Sequence, residues 1–490
     1  MSHFGFQRDE LLHLALGDHL AWGYKEVPPF IALLAKISST IFGGSVFATR
    51  IFSTIFAGLI IWFTGLITVE LGGRKFAITL ACLALIFSPA FAASEYLFQP
   101  VVFDQFWWVL TVYLIIKYIN NSSVKYLYFI GVAIGIGMLT KYTMGFFAIA
   151  LVGGLLLTKQ RRLLVNKHLL FAILIALLIF LPNALWEYMH HFPVLTHMQN
   201  LRSTQLDYIK PIDFVSQQLM VNGIALFLWL IGFFFLIFSF KLRKYQFLAF
   251  AYIIIFIFLL EMSGKNYYLF GAYPMLFAAG GFGFERWIKS GYTLRTLIIV
   301  LFTLPNLFLF PMLLPVLPFK QTLAFFKYSD EHFPVFQFAV IWNGAKHPTT
   351  QDYADMLGWD ELAKKVADTY NSLTPEQQKQ TIIIADNYGE AGALHHFGPQ
   401  YKLPDVISLD SSFGLWAPDS VSKAQYVIFI DDNDGKNAEK IGTVMESTRK
   451  TGSVDNPLAV EAGTGIYLFT HPKPAFYHFY KMELARRLAD

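Results

Sequence analysis

The sequence predicts a mainly α-helical, polytopic membrane protein with a C-terminal extracytoplasmic α/β domain. Of its 490 residues, 55% are apolar and 15% are charged, whereas soluble domains carry roughly 25% charged residues. Charged residues make up 34 of the first 319 positions and 38 of the last 171. We therefore predict a transmembrane domain over residues 1–319 and an extracytoplasmic domain over residues 320–490.

The composition also excludes several classes of protein. The high apolar content excludes a soluble enzyme and a disordered chain. Cys82 is the single cysteine and lies in an apolar run, which excludes a disulfide-rich secreted module. The formal net charge of +4 gives no reason to expect a nucleic-acid partner.

The first 319 residues contain about ten apolar runs. A helix that crosses a hydrocarbon core of about 30 Å needs roughly 20 mostly apolar residues. We expect about ten spanning helices, close to the following ranges: 46–70, 76–94, 101–119, 126–140, 143–158, 168–186, 214–239, 246–262, 267–284 and 295–314.

Basic residues in the connecting loops predict the orientation, because Lys and Arg favour cytoplasmic loops. Clusters of basic residues fall in alternate loops. These loops, which we assign to the cytoplasmic side, hold 14 of the 22 basic residues of this part. Ten of its 12 acidic residues then lie on or near the outer face, and residues 320–490 lie outside as well. Short β-rich runs in that last part, such as Thr381–Ala385 and Tyr426–Asp431, alternate with helix-like ones and predict a small α/β domain.

The N-terminal segment carries the first candidate site residues. On a helix, Asp9 and Glu10 share one face with His13 and Gly17, so we predict an interfacial helix that presents carboxylates. A second short helix, Phe30–Phe42, follows Lys25, Glu26 and a proline pair. These interfacial helices, over about residues 9–42, would wall off a cavity at the outer face. A solvated headgroup-level charge is the alternative for each acid.

Further charged residues lie at the outer ends of predicted spanning helices. Asp104 begins an aromatic helix, where a carboxylate is a functional candidate by default and a helix cap is the alternative. Lys141, Arg202 and Lys265, the last followed by Tyr267, face the same compartment. Carboxylates with isolated cations suit a site that deprotonates one group and stabilises an anion, although snorkelling to the interface also explains each cation.

The order of several motifs resembles the bacterial membrane glycosyltransferases of family 39, which are related to protein O-mannosyltransferases and to the lipid A aminoarabinose transferase. The motifs include Arg8-Asp9-Glu10-Leu11, Pro28-Pro29, Phe103-Asp104, Thr140-Lys141-Tyr142 and Gly264-Lys265. The resemblance extends into residues 387–393 and 415–416, and so covers most of the chain.

The resemblance implies a GT-C fold in the bacterial cytoplasmic (inner) membrane, with an active site that faces outward. It also implies a polyprenyl-phosphate sugar donor and an envelope glycan, lipid or protein acceptor. By position, Asp9 of the Asp9–Glu10 pair would be the general base that deprotonates the acceptor hydroxyl, with inversion, and Asp104 the second acidic group. Lys141, Lys265 and Arg202 would balance the charge of the leaving phosphate, and Lys25, Glu26 and Tyr267 would line the cavity.

Two features depart from the family pattern. A spanning helix usually precedes the acidic pair, whereas eight residues precede Asp9 here, which leaves open whether that helix is missing from the N-terminus of this sequence. Glu26-Val27 also stands where relatives carry Glu-Lys or a histidine before the paired prolines. A basic contact made there would have to come from elsewhere, for example Lys25, so neither relative's substrate can be transferred to this chain.

The sequence alone leaves other functions, and the question of a cofactor, open. The alternatives are a transporter or flippase for a lipid-linked or small anionic solute, and a non-catalytic assembly or sensor protein. Most charges lie at helix ends rather than at helix midpoints, which disfavours transport. No cofactor is predicted with certainty, and a divalent metal held by carboxylates alone is compatible with the sequence.

Overall fold

The computed structural model describes residues 4–489, which form two compact units. The helical unit comprises Val27–Ile31 and Arg50–Leu314. The sheet unit comprises the described residues up to Glu26, together with Ala32–Thr49 and the chain from Pro315 onward. The sheet unit therefore contains the N-terminal acidic segment as well as the C-terminal α/β region.

The chain is helical up to residue 313 apart from short connections and 3₁₀ turns. In order, the α-helices of this part are α1 (Arg8–Asp18), α2 (Phe30–Phe42), α3 (Val46–Glu70), α4 (Lys75–Ile86), α5 (Pro89–Glu95), α6 (Pro100–Asn121), α7 (Lys125–Thr140), α8 (Thr143–Leu156), α9 (Lys167–Met189), α10 (Pro193–Thr204), α11 (Pro211–Met220), α12 (Leu226–Phe238), α13 (Phe247–Glu261), α14 (Tyr273–Trp287), α15 (Tyr292–Leu307) and α16 (Phe310–Leu313).

All ten predicted apolar runs are helical, but they differ in length. Three of these helices, α3, α6 and α9, are long and apolar enough to cross a membrane by themselves. Counting each of three bent helix pairs as one span raises the number to six, and α7, α13 and α15 are shorter apolar helices. This helical architecture confirms a mainly α, polytopic membrane protein.

Glycines allow the helices of the helical unit to approach closely. A Cβ at Gly131 of α7 would overlap the carbonyl oxygen of Ala172 in α9, and one at Gly232 of α12 would overlap that of Leu276 in α14. Small residues permit such backbone contact between membrane helices. The Gly-rich piece within α7 therefore serves helix packing.

The remaining elements belong to the sheet unit. Its later helices are α17 (Phe319–His332), α18 (Gln351–Ala354), α19 (Trp359–Asn371), α20 (Pro375–Gln378), α21 (Tyr388–Phe397), α22 (Lys436–Gly442) and α23 (Pro474–Ala489). The strands are β1 (Ile341–Trp342), β2 (Ala345–Lys346), β3 (Thr381–Ala385), β4 (Val406–Ile407), β5 (Tyr426–Asp431), β6 (Ser447–Ser453) and β7 (Gly465–Thr470).

Five strands form one mixed sheet in the order β4-β3-β5-β7-β6, and β1 and β2 form a separate antiparallel pair. Strands β4, β3 and β5 are parallel, with Thr381 opposite Tyr426 and Ala385 opposite Ile430. Strand β7 runs antiparallel to β5, so that Gly465 at its start lies opposite Asp431. The carboxyl ends of β3 and β5 and the start of β7 consequently share one edge of the sheet.

Helices cover both faces of this sheet. The side chains of Val427 and Phe429 in β5 pack with Phe469 and with α23, whereas the alternate residues Ile428 and Ile430 are buried as well. A central strand that is buried on both faces is typical of an α/β domain. Helix α21 contacts β3, α19 and α1, which places the N-terminal helix within the α/β packing of this unit.

Candidate active-site residues

The N-terminus of α1 positions the predicted acidic pair. The side-chain oxygen of Gln7 accepts a hydrogen bond from the Asp9 backbone N–H at 2.8 Å, and Glu10 Oε2 accepts one from the Gln7 backbone N–H at 2.8 Å. This reciprocal arrangement is a capping box. Glu10 is fully buried in this arrangement, so its carboxylate caps the N-terminus of α1.

Asp9 is oriented by α21 of the same unit. The Tyr388 hydroxyl donates a hydrogen bond to Asp9 Oδ1 at 2.9 Å. Burial, reinforced by the Asp9 carboxylate, raises the pKa of Tyr388, which keeps the hydroxyl protonated as a donor. The Arg8 guanidinium lies over the Tyr388 ring, 4.7 Å from its centroid, and fixes the ring plane.

The segment that begins α21 is held by a second capping box. Asn387 Oδ1 accepts hydrogen bonds from the backbone N–H groups of Gly389 and Glu390, at 2.8 and 3.0 Å. Glu390 Oε2 accepts in return from the backbone N–H groups of Asp386 and Asn387. These four hydrogen bonds fix the direction in which the Tyr388 side chain leaves the first turn of α21.

Two glycines of α21 let α1 approach it. A Cβ at Gly389 would lie 2.7 Å from Arg8 Nε, and one at Gly392 would lie 2.9 Å from the Leu11 carbonyl carbon. Larger residues would push α1 away. The segment 387–393 thus contributes a cap, a donor to Asp9 and two close-contact positions.

Arg8 is the cation of an acidic neighbourhood. Burial by itself lowers the pKa of Arg8, but Tyr388, Glu461, Asp355 and Asp9 raise it above its usual value. The guanidinium therefore stays charged, and it compensates part of the surrounding negative charge.

Among the carboxyls that interact with Arg8, Asp355 has the largest pKa shift. Burial raises its pKa to about 7 even though Arg8 acts in the opposite direction. Gln7 Nε2 donates to Asp355 Oδ2 at 3.5 Å, while Asp355 Oδ1 is buried without a hydrogen-bond partner among the described residues. Asp355 is thus protonated over much of the acidic pH range.

The predicted cavity residues Lys25 and Glu26 connect segments of the sheet unit. The Lys25 ammonium donates to the Arg487 backbone carbonyl of α23, and its backbone N–H donates to Ser412 Oγ at 3.0 Å. The Ser412 hydroxyl in turn donates to Glu26 Oε2, and burial raises the pKa of Glu26. These contacts favour a structural role for both residues.

In the helical unit, Asp104 is held by two donors at the start of α6. Its Oδ1 accepts from the Trp108 indole N–H at 3.0 Å, and its Oδ2 accepts from the Thr143 hydroxyl at 2.7 Å. The Asp104 side chain is buried, with 6% exposure. Its carboxylate is therefore fixed between α6 and the first residue of α8.

Lys141, Lys265 and Tyr267 come together in the same unit. The Lys141 ammonium lies 4.8 Å from the Tyr267 ring centroid and 4.5 Å from that of Tyr268. The Lys265 ammonium lies 6.0 Å from the Tyr267 centroid, and Asp104 and Lys265 are the charged neighbours of Lys141. Two ammonium groups held over aromatic faces form a preorganised cationic site.

Arg202 lies in a different setting. It is exposed on α10 and forms an ion pair with Asp207 at 3.1 Å. No contact within residues 4–489 joins it to Lys141 or Lys265. Of the three predicted phosphate-binding cations, the described contacts bring together the two lysines.

Several residues around these sites were not predicted from the sequence. Tyr388, Asp355, Glu461 and Thr143 approach Asp9, Arg8 or Asp104 only through contacts distant in sequence. The segment 387–393, which contains Tyr388, is part of the family resemblance, and the capping pattern Asn387-x-x-Glu390 within it indicates a helix start. The sequence around Asp355 and around Thr143 contains no motif that marks either residue as part of a site.

Carboxylates of the sheet unit also approach one another closely enough to hold a metal ion. One group is Asp386, Asp431 and Asp432, and the other is Glu390, Asp432 and Glu461. In each group the carboxylate oxygens lie within 4.8 Å of one another. Oxygen donors of this kind suit a divalent cation.

Comparisons with known proteins agree with this architecture. Residues 26–186 match the family described as dolichyl-phosphate-mannose-protein mannosyltransferase. No curated protein matches the chain by sequence.

Among solved structures, the chain is similar to ArnT from Cupriavidus metallidurans bound to undecaprenyl phosphate, with a TM-score of 0.60, 13% identity, and coverage of 95% of this chain and 94% of that one. It is also similar to ArnT from the same organism in the apo state (TM-score 0.61, 14% identity, 96% and 94% covered). A third similar structure is the Archaeoglobus fulgidus oligosaccharyltransferase in complex with Zn and sulfate (TM-score 0.52, 14% identity, 90% and 66% covered).

At these identities the structural matches establish the fold, which extends over nearly the whole chain. The family match covers the segment that includes Asp104 and Lys141. Together they confirm the resemblance found in the sequence: the chain has a GT-C fold, and its residues 26–186 match the mannosyltransferase family.

Proposed function

We propose that this protein transfers a sugar from a polyprenyl-phosphate donor to a hydroxyl of a glycolipid, polysaccharide or protein at the outer face of the cytoplasmic membrane. The observation that carries the proposal is the family match over residues 26–186, since that family is described by a lipid-phosphate sugar donor. The fold of ArnT, solved with undecaprenyl phosphate, supports the same class of donor.

Asp9 is the proposed general base. It would take the proton of the acceptor hydroxyl while the hydroxyl oxygen bonds to the anomeric carbon and the bond from that carbon to the phosphate breaks. The phosphate leaves with the electron pair of that bond. Because the hydroxyl attacks in a single displacement from the face opposite the phosphate, the configuration at the anomeric carbon inverts. The hydrogen bond from Tyr388 and the position of Asp9 at the start of α1 support this role by fixing the carboxylate.

Glu10 is assigned differently within the proposal. Its buried Oε2 caps α1, so Glu10 would hold the helix that carries the base. Glutamine can replace glutamate at this capping position, which separates the two roles by experiment.

Lys141 and Lys265 are the proposed counter-charges for the leaving phosphate. A fixed cation aimed at developing negative charge stabilises a transition state more than a mobile one, and Tyr267 and Tyr268 hold the Lys141 ammonium in place. Asp104 would fix the acceptor, with its carboxylate held by Trp108 and Thr143. Arg202 is the weaker candidate because it is exposed and paired with Asp207.

No described residue or comparison favours the transporter alternative. The carboxylates and lysines singled out above lie at helix ends or in connections, as expected for a site at a membrane surface.

The test compares a strain that has the gene with one from which it is deleted. Mass spectrometry would measure polyprenyl-phosphate sugars and envelope glycans in both. We expect one lipid-linked sugar to accumulate in the deletion strain while one glycan, lipid or protein loses the matching residue, which names donor and acceptor together. Unchanged pools under conditions where the gene is expressed, and with no related gene active, would reject the proposal.

A further inference from the structure

Three carboxylates from separate segments meet at one edge of the five-stranded sheet. Asp432 directly follows β5, Glu390 lies in the first turn of α21 after β3, and Glu461 precedes β7 by four residues. One carboxylate oxygen of each lies within 4.8 Å of the others. We propose that Glu390, Asp432 and Glu461 bind a divalent cation, with Ca²⁺ as the preferred ion.

Glu390 provides the observation that points to a ligand. It is fully buried, and its Oε2 accepts the backbone N–H groups of Asp386 and Asn387 at 3.0 and 3.3 Å. Its Oε1 is buried without a hydrogen-bond partner among the described residues. A buried carboxylate oxygen without a donor is costly, and a bound cation at the cluster would remove that cost.

Neighbouring side chains orient the other two carboxylates. Asn387 Nδ2 donates to Asp432 Oδ2 at 2.8 Å, and the Thr464 hydroxyl donates to Glu461 Oε2 at 2.9 Å. Each bond engages one oxygen, so the second oxygen of the same carboxylate can take a ligand. Partners of this kind fix the direction of metal ligands.

The charge around the cluster is unbalanced. Asp386 and Asp431 lie within the same distance of Asp432, which brings further negative charge to the edge of the sheet. The Arg8 guanidinium interacts with Glu461, but this single positive charge offsets only part of the negative charge of the cluster. Ionised carboxylates this close repel one another unless a cation lies among them.

The donor types select the class of ion. Every side chain in the cluster offers carboxylate oxygen, and none is histidine or cysteine, so a hard cation is favoured over zinc. Ca²⁺ accepts six to eight oxygens in flexible geometry, whereas Mg²⁺ demands a near-octahedral site. Three carboxylates from three different segments suit the more flexible ion.

The test uses the full-length protein, purified in detergent, stripped with EDTA and transferred to metal-free buffer. Calorimetric titration with CaCl₂ would measure binding, and the unfolding temperature would be recorded in CaCl₂ and in EDTA. Asp432→Asn removes one proposed ligand at an exposed position, and Asp434→Asn, also exposed and in the same loop, is the matched control.

We expect the unchanged protein and Asp434→Asn to bind one Ca²⁺ and to unfold at a higher temperature with Ca²⁺. Asp432→Asn should bind at least tenfold more weakly while unfolding in EDTA at the same temperature as the unchanged protein. Absence of Ca²⁺ binding, binding of Zn²⁺ alone, or unweakened binding by Asp432→Asn would overturn the assignment. The assay measures binding without transfer, so its outcome is independent of the proposed reaction.

Discussion

The hydrogen bond from Tyr388 to Asp9 makes Tyr388 a positioning residue for the proposed base. Tyr388→Phe keeps the ring over which Arg8 lies and removes only the hydroxyl that donates to Asp9. Loss of a hydrogen bond to a charged group costs about 1.5 kcal/mol, which corresponds to roughly a tenfold lower kcat. We expect kcat to fall by about that factor, with KM for the donor unchanged.

The measurement is a transfer assay with the donor and acceptor identified by the strain comparison. The unfolding temperature of the variant is the control, and it should stay close to that of the unchanged protein. An unaltered kcat would remove Tyr388 from the positioning of Asp9.

Asp355 should make the stability of the sheet unit depend on pH. Burial raises its pKa to about 7 in the folded state from an ordinary value of 3.8, with Arg8 opposing the shift and Asp9, Asp352 and Glu461 supporting it. Between these values the unfolded chain loses the proton and the folded chain keeps it. Stability therefore falls as pH rises from about 4 to about 7, by at most about 1.4 kcal/mol per pH unit.

The Asn side chain in Asp355→Asn stays neutral at every pH. This variant should therefore lose the pH dependence that Asp355 contributes to the stability. We expect the unfolding temperature of the unchanged protein, measured in EDTA, to decrease between pH 5 and pH 8 by more than that of the variant. Because the other carboxyls are common to both proteins, the difference between the two slopes reports on Asp355. Parallel slopes would contradict the assignment.

At the scale of elements, the start of α1 separates the two members of the acidic pair. Glu10→Gln keeps an oxygen that can accept from the Gln7 backbone N–H, whereas Glu10→Ala removes the cap and should cost about 1 kcal/mol. We expect Glu10→Gln to keep nearly full transfer activity, and Glu10→Ala to unfold at a lower temperature. If Glu10→Gln instead lost activity by the 10²- to 10⁴-fold typical of a missing acid or base, Glu10 would belong to the chemistry.

The elements show what sequence patterns can and cannot predict. The strands at Thr381–Ala385 and Tyr426–Asp431 and both N-terminal helices were predicted, because alternation and helical spacing are local. Helix α1 was expected to lie at an interface, but its residues from Glu10 to Gly17 are all buried. Its burial depends on close contact with α21 at Gly392, and no local pattern in α1 indicates that partner.

At the scale of the whole molecule, the predicted apolar runs and the α/β region are both present. Composition predicts such features well because it records which segments avoid water. The helix breaks were not predicted: α4 and α5 meet at a 59° bend, and α11 and the segment from Gly223 to Phe238 at 100°. The candidate residues were found by their charge, whereas their partners Tyr388, Asp355 and Thr143 depend on contacts that only the folded chain creates.

Asp9 is the proposed base of a lipid-dependent sugar transfer. The most direct measurement returns the gene to the deletion strain as Asp9→Asn or as Glu10→Gln, verifies equal amounts in the membrane, and quantifies lipid-linked sugars and envelope glycans by mass spectrometry. We predict that Glu10→Gln restores both pools, while Asp9→Asn leaves the donor accumulated and the glycan incomplete. Full restoration by Asp9→Asn would contradict the account.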